Sequence, residues 1–108
     1  MGADQRKEAR IAIEARFSAR DLSGAGTLTF TTEDLSASGA FLKSDLLLEQ
    51  GEALALQFDV PGTGAIHTPA RVAWVRRFPQ GDQAPGMGVE FLALNDDDRA
   101  AMNRWLRS

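Results

Sequence analysis

Three observations predict a mainly β protein: a closed barrel or sandwich of about six short antiparallel strands, followed by one C-terminal α-helix. Apolar residues alternate with polar ones through most of the chain, which is the period of half-buried strands. Turn-forming residues interrupt the alternation roughly every 8–12 residues. After Asn95 the apolar spacing changes to that of a helix. The 108 residues are a single domain's worth of chain, with 44% hydrophobic and 25% charged residues, an ordinary globular balance.

The first strand is expected at Ile11–Ser18, where Ile11, Ile13, Ala15 and Phe17 alternate with Ala12, Glu14, Arg16 and Ser18. Asp21–Gly26 is turn chemistry. Thr27–Thr32 is β-branched and aromatic, with Leu28 and Phe30 on one face, and reads as the second strand. A break at Asp34–Gly39 precedes a short third strand at Ala40–Lys43. Leu54, Leu56, Phe58 and Val60 mark the fourth, which stops at Pro61–Gly62. The fifth runs from Ile66 to Phe78, with Pro69 tolerable only near an edge or a strand start. Pro79–Pro85 is a loop, and Met87, Val89 and Phe91 give the sixth strand. Asn95 is a good N-cap, Asp96, Asp97 and Asp98 suit the positive end of the helix dipole, and Met102, Trp105 and Leu106 share one helical face.

Composition excludes several kinds of function. No cysteine means no disulfide, thiolate nucleophile or cysteine zinc site. A single histidine, His67, leaves no His-based metal cluster or triad, and it reads as a solvated strand residue. With no paired-carboxylate pattern either, an enzyme is not expected. The aspartates at 96–98 are explained by helix capping without a metal ion. The net charge of −3 argues against bulk binding of DNA, RNA or acidic membrane. There is no run of about 20 apolar residues, so no membrane-inserting helix is expected. The polar segment Met1–Arg10 has no signal-peptide core, and the cytoplasm is the expected compartment.

The sign of the charge is uneven. Arg6 to Arg20 holds five Lys/Arg against two Glu. Two clusters carry candidate binding chemistry. Arg6-Lys7-Glu8-Ala9-Arg10 is an Arg-x-x-x-Arg just before the first strand. Its guanidinium forks suit phosphate oxygens or a guanine Hoogsteen edge, and they can stack on a base. Asp34-Leu35-Ser36-Ala37-Ser38-Gly39 is an Asp-x-Ser-x-x-Gly between the second and third strands. Asp34 offers two acceptors to the donors of guanine's Watson–Crick edge, Ser36 a hydroxyl, and Gly39 room for a close approach. Alone, each cluster reads as a solvated terminus or a turn; it is their joint occurrence that points to a site.

In that combination the chain resembles the PilZ domain family, whose ligand motifs are Arg-x-x-x-Arg and Asp/Asn-x-Ser-x-x-Gly. The 23 residues between Arg10 and Asp34 fit the family spacing. Ala70-Arg71-Val72-Ala73-Trp74-Val75 resembles its fifth strand, and Gly86-Met87-Gly88-Val89-Glu90-Phe91 its last. The resemblance implies a six-stranded antiparallel, Greek-key-like β-barrel over residues 11–108 with the C-terminal helix, behind a mobile ligand-binding segment at 1–10. It implies a receptor for the second messenger cyclic di-GMP, with Arg6 and Arg10 gripping phosphates and guanine, Asp34 and Ser36 reading a guanine edge, and Gly39 shaping the turn. No other cofactor is expected.

Many family members carry an additional Arg where this chain has Gln5, and such members often bind an intercalated ligand dimer. Gln5 therefore points to one ligand per protein, although Lys7 can supply part of the missing charge. Trp74 reads two ways, as a stacking partner for guanine or as a lid or core residue under the helix. With 108 residues and no attached output domain, the expected output is an unidentified downstream protein bound in trans. The rival expectation is a ligand-independent adaptor acting through protein contacts alone.

Overall fold

The computed structural model describes residues 11–21, 27–44, 48–78, 81 and 84–107. Seven strands and one helix lie among them: β1 (Ile11–Ala12), β2 (Arg16–Asp21), β3 (Thr27–Leu35), β4 (Gly39–Lys43), β5 (Ala53–Val60), β6 (Gly64–Arg76), β7 (Gly86–Phe91) and α1 (Asp96–Arg107). Two antiparallel meanders, β2-β3-β4 and β5-β6-β7, join edge to edge through β2–β5 and β4–β7. The six strands thereby close into a barrel, and β1 is an extra short strand on β3. The β4–β5 connection joins strands that are not neighbours, which is the Greek-key-like step. No described helix is long and apolar enough to cross a membrane.

The inward positions of the alternating strands fill the barrel. Phe17 lies in register with Phe30 and Phe58, and its ring stacks on Phe58 at 4.1 Å and 6°. Leu35, Leu42, Leu54, Leu56, Ile66, Val72, Met87 and Phe91 complete this interior, with Ala101 and Met102 of α1 buried against it. Trp105 and Leu106 pack on the same core from the helix's flank, as their spacing predicts. Asn95 caps α1: its Oδ1 accepts the Asp98 N–H at 2.7 Å.

The structure corrects the expected elements in three places. The first strand is broken, because residues 13–15 leave the ladder between β1 and β2. The hydroxyl of buried Thr32 fills that gap, donating to the Ile13 carbonyl at 2.6 Å and accepting the Ala15 N–H at 2.8 Å. The Thr32 N–H donates to the Ala15 carbonyl at 2.9 Å. Lys43 crosses to Glu14 at 2.9 Å, and its hydrogen bond and charge hold the exposed Glu14 carboxyl below the ordinary glutamate value. Second, β3 does not end at Thr32 but runs on to Leu35 through a bulge between Thr32 and Asp34. Asp34 is therefore a strand residue. Third, β6 begins at Gly64 and ends at Arg76, short of Phe78. Pro69 lies inside β6, where β5 is the only strand partner among the described residues, since β7 pairs from Ala70 onward. A proline fits there as it would on an edge.

Candidate functional site

The outer faces of β3, β4, β7 and β6 carry a continuous cross-strand row. Asp34 pairs with Phe41, Phe41 with Gly88, and Gly88 with Trp74. Asp34 and Trp74 thus stand three strand spacings apart, about 14 Å. Phe41 is buried although it points out of the barrel, because side chains from β6 cover it. The Trp74 indole stacks on its ring (5.0 Å between centroids, 29°), and the Arg76 guanidinium sits 4.1 Å above the ring centroid. Arg76 is only 8% exposed; it donates to Glu33 at 2.8 Å and to the Ala84 carbonyl at 2.8 Å. Glu33 reaches this position from the β3 bulge.

Gly88 is what allows the indole to lie down. A Cβ there would fall 2.1 Å from Trp74 Nε1. Of the readings of Trp74, a place in the barrel core does not hold. The residue lies on the outer surface, 49% exposed, fixed underneath by Phe41 and Gly88.

The turn joining β3 to β4 is built by its own polar groups. The Ser36 N–H donates to the Gly39 carbonyl at 2.9 Å, and the Ser38 N–H donates to Ser36 Oγ at 3.2 Å. Ser36 is 3% exposed, its hydroxyl also 3.2 Å from Ser38 Oγ and 3.4 Å from the Gly39 carbonyl oxygen. The Phe91 N–H donates to the Ser38 carbonyl at 2.9 Å and ties the turn to β7. A Cβ on Gly39 would meet the Val89 carbonyl oxygen at 2.3 Å, so this close strand contact admits no side chain. From below, Arg99 of α1 donates to the Ala37 carbonyl at 3.2 Å.

Between this turn and Trp74 runs an open groove of about 280 Å³, lined by Ser38, Gly39, Ala40, Ala73, Trp74, Gly88, Val89 and Glu90. Its far rim carries a cross-strand ion pair, Arg71 to Glu90 at 2.7 Å. The structure therefore brings Asp34, the Ser36–Gly39 turn and Trp74 to one face. Gln5, Arg6, Lys7 and Arg10 lie outside the described residues. Sequence reasoning missed Phe41, Arg76, Glu33 and Glu90. The available signal was Gly86-x-Gly88 inside a strand, since glycine at such positions marks close approach. Among the described residues no group of three or more His, Asp or Glu is arranged to hold a metal.

The sequence matches the PilZ domain family over residues 4–108. No curated protein sequence matches it. Solved structures of the same fold include MotI/DgrA, the inhibitor of motility of Bacillus subtilis, with a TM-score of 0.82 at 17% identity over 96% of this chain and 50% of that one. The chain thus spans about half the length of MotI. The PilZ domain of YcgR from Escherichia coli, solved with c-di-GMP, matches with a TM-score of 0.70 at 20% identity over 96% and 90% of the two chains. The PilZ domain of CeSA from a cellulose-synthesizing bacterium matches with a TM-score of 0.63 at 19% identity over 92% and 95%. At these identities the likeness shows the fold.

Proposed function

The chain belongs to the PilZ domain family, and from that premise we propose that it is a cytoplasmic receptor for cyclic di-GMP that signals to a partner protein and catalyses no reaction. The observation that carries this reading is an outer face on which Asp34 stands in the cross-strand row that ends in a half-exposed Trp74, with an open groove between Trp74 and the Ser38–Gly39 end of the turn. Arg6 and Arg10, preceding β1, supply the phosphate and guanine contacts. Since β1 pairs with β3 at Asp34, the chain enters the barrel next to that residue. Asp34 reads one guanine edge. Ser36 and Gly39 hold the turn that presents it, and Trp74 offers its open face to a base, a contact worth about 1–3 kcal/mol. Gln5 favours one ligand per protein, with Lys7 at its periphery.

Bound phosphates draw Arg6 and Arg10 onto the barrel face, and the altered shape and charge of that face is what the partner reads. The likeness to MotI, an inhibitor of motility, supports motility as a process to test first. Isothermal titration calorimetry of cyclic di-GMP into the wild type and Arg10→Ala tests the reading. Micromolar or tighter binding, about −8 kcal/mol or better, lost by tenfold or more in the variant, is the expected result. No binding by the wild type would move the protein to a ligand-independent adaptor.

A further inference from the structure

Glu90 lies where an acidic group is least expected. It lines the groove beside the proposed ligand site, and a doubly anionic dinucleotide should repel it. On the outer face of β7, Glu90 follows Gly88 by two residues, roughly 7 Å along the strand. It stands in register with Gly39 on one side and with Arg71 on the other. The row Gly39–Glu90–Arg71 therefore runs directly beside the row that ends in Trp74. Both partners of the Arg71–Glu90 pair are about half exposed, at 53% and 51%, and such a pair adds little to fold stability. What it does is neutralise the carboxylate and fix its direction, since Arg71 grips one of its two oxygens at 2.7 Å.

We propose that Glu90 is a base-specificity residue, accepting the Watson–Crick N–H donors of a guanine seated on the Trp74 indole. This rests on the reading of the face as a cyclic dinucleotide site. A groove of about 280 Å³ is small among ligand pockets, a place for one base of the ligand rather than for all of it. A base stacked on Trp74 above Gly88 extends along β7 towards Glu90. Guanine presents two neighbouring donors on that edge, N1–H and the N2 amine, and an ionised carboxylate is acceptor-only. Adenine presents a ring-nitrogen acceptor at the corresponding place, which the carboxylate repels. Arg71 removes the net charge that would otherwise disfavour the ligand's phosphates. Asp34, about 14 Å from Trp74 along its own row, reads the other guanine, so each base of the dinucleotide has its own carboxylate.

The test is calorimetric titration of the wild type and Glu90→Gln with cyclic di-GMP and with 3′,3′-cyclic GMP-AMP, whose one guanine satisfies Asp34. The wild type is expected to prefer cyclic di-GMP. Glu90→Gln, which keeps the shape but turns one acceptor into a donor, should weaken cyclic di-GMP about tenfold or more and bind cyclic GMP-AMP at least as tightly as the wild type does, since the repulsion of adenine is gone. Thermal unfolding of the variant should match the wild type, because the pair is exposed. An equal loss for both ligands, no loss for either, or a wild type that binds both equally would overturn the assignment. A wild type that binds neither dinucleotide removes the receptor reading itself, and the assignment falls with it.

Discussion

A methyl group on Gly39 would sit 2.3 Å from a backbone oxygen that cannot swing aside, since Val89 is held in β7 between β4 and β6. Gly39→Ala should therefore force the β3–β4 turn away from β7, costing about 1–3 kcal/mol as overpacking does, and urea unfolding of the variant would measure it. The same displacement moves Ser36 and Ser38, so affinity for the dinucleotide should fall further than stability alone explains. The importance of this glycine was legible in the Asp-x-Ser-x-x-Gly pattern. The role of Ser36 was legible only in part. Its hydroxyl is spent inside the turn, and sequence cannot say whether a serine faces a ligand or its own backbone. The Arg76–Phe41–Trp74 stack was hidden for a different reason. Phe41 reads as one more apolar strand residue, and nothing in a period-two pattern announces that an arginine will bury itself over an outward-facing ring.

β2, β5 and much of β3 and β6 followed the alternation because they have one wet face and one buried face, and a slip of one residue would invert both. The helix followed from Asn95 and from the spacing of Met102, Trp105 and Leu106. The break between β1 and β2 did not show, because Ile11, Ile13, Ala15 and Phe17 keep their alternation straight across it. Only the partner strand records the gap, through the Thr32 hydroxyl bridging Ile13 and Ala15. Thr32→Val keeps the shape and removes both bonds, leaving the half-buried Ile13 carbonyl and Ala15 N–H without that partner. The expected cost is about 2–4 kcal/mol, read by chemical denaturation, with faster amide exchange at Ala15 as the local signature. Loosening this segment also loosens the stretch at β1 where the described chain enters the barrel, a coupling that belongs to β1 and β2 together rather than to any side chain of the site.

For the molecule as a whole, pattern reasoning left barrel and sandwich open, because closure is a property of pairs distant in sequence and local periodicity is blind to it. The two seams that close the ring pair Phe17 with Phe58 and Gly39 with Glu90. Those partners are 41 and 51 residues apart along the chain. Neither seam can form until most of the entropy of a long loop has been lost. The hairpins β2–β3 and β5–β6 can form early, yet each alone is marginal in water. Folding should accordingly be slow for a chain of this size, in the millisecond-to-second range typical of nonlocal β topologies rather than the microseconds of a helical bundle. Stopped-flow refolding monitored by tryptophan fluorescence would time it. Substitutions at the β4–β7 seam such as Gly39→Ala should change the refolding rate more than those in α1. The seam that shapes the ligand face is, on this account, also a kinetic gate through which each newly made chain must pass.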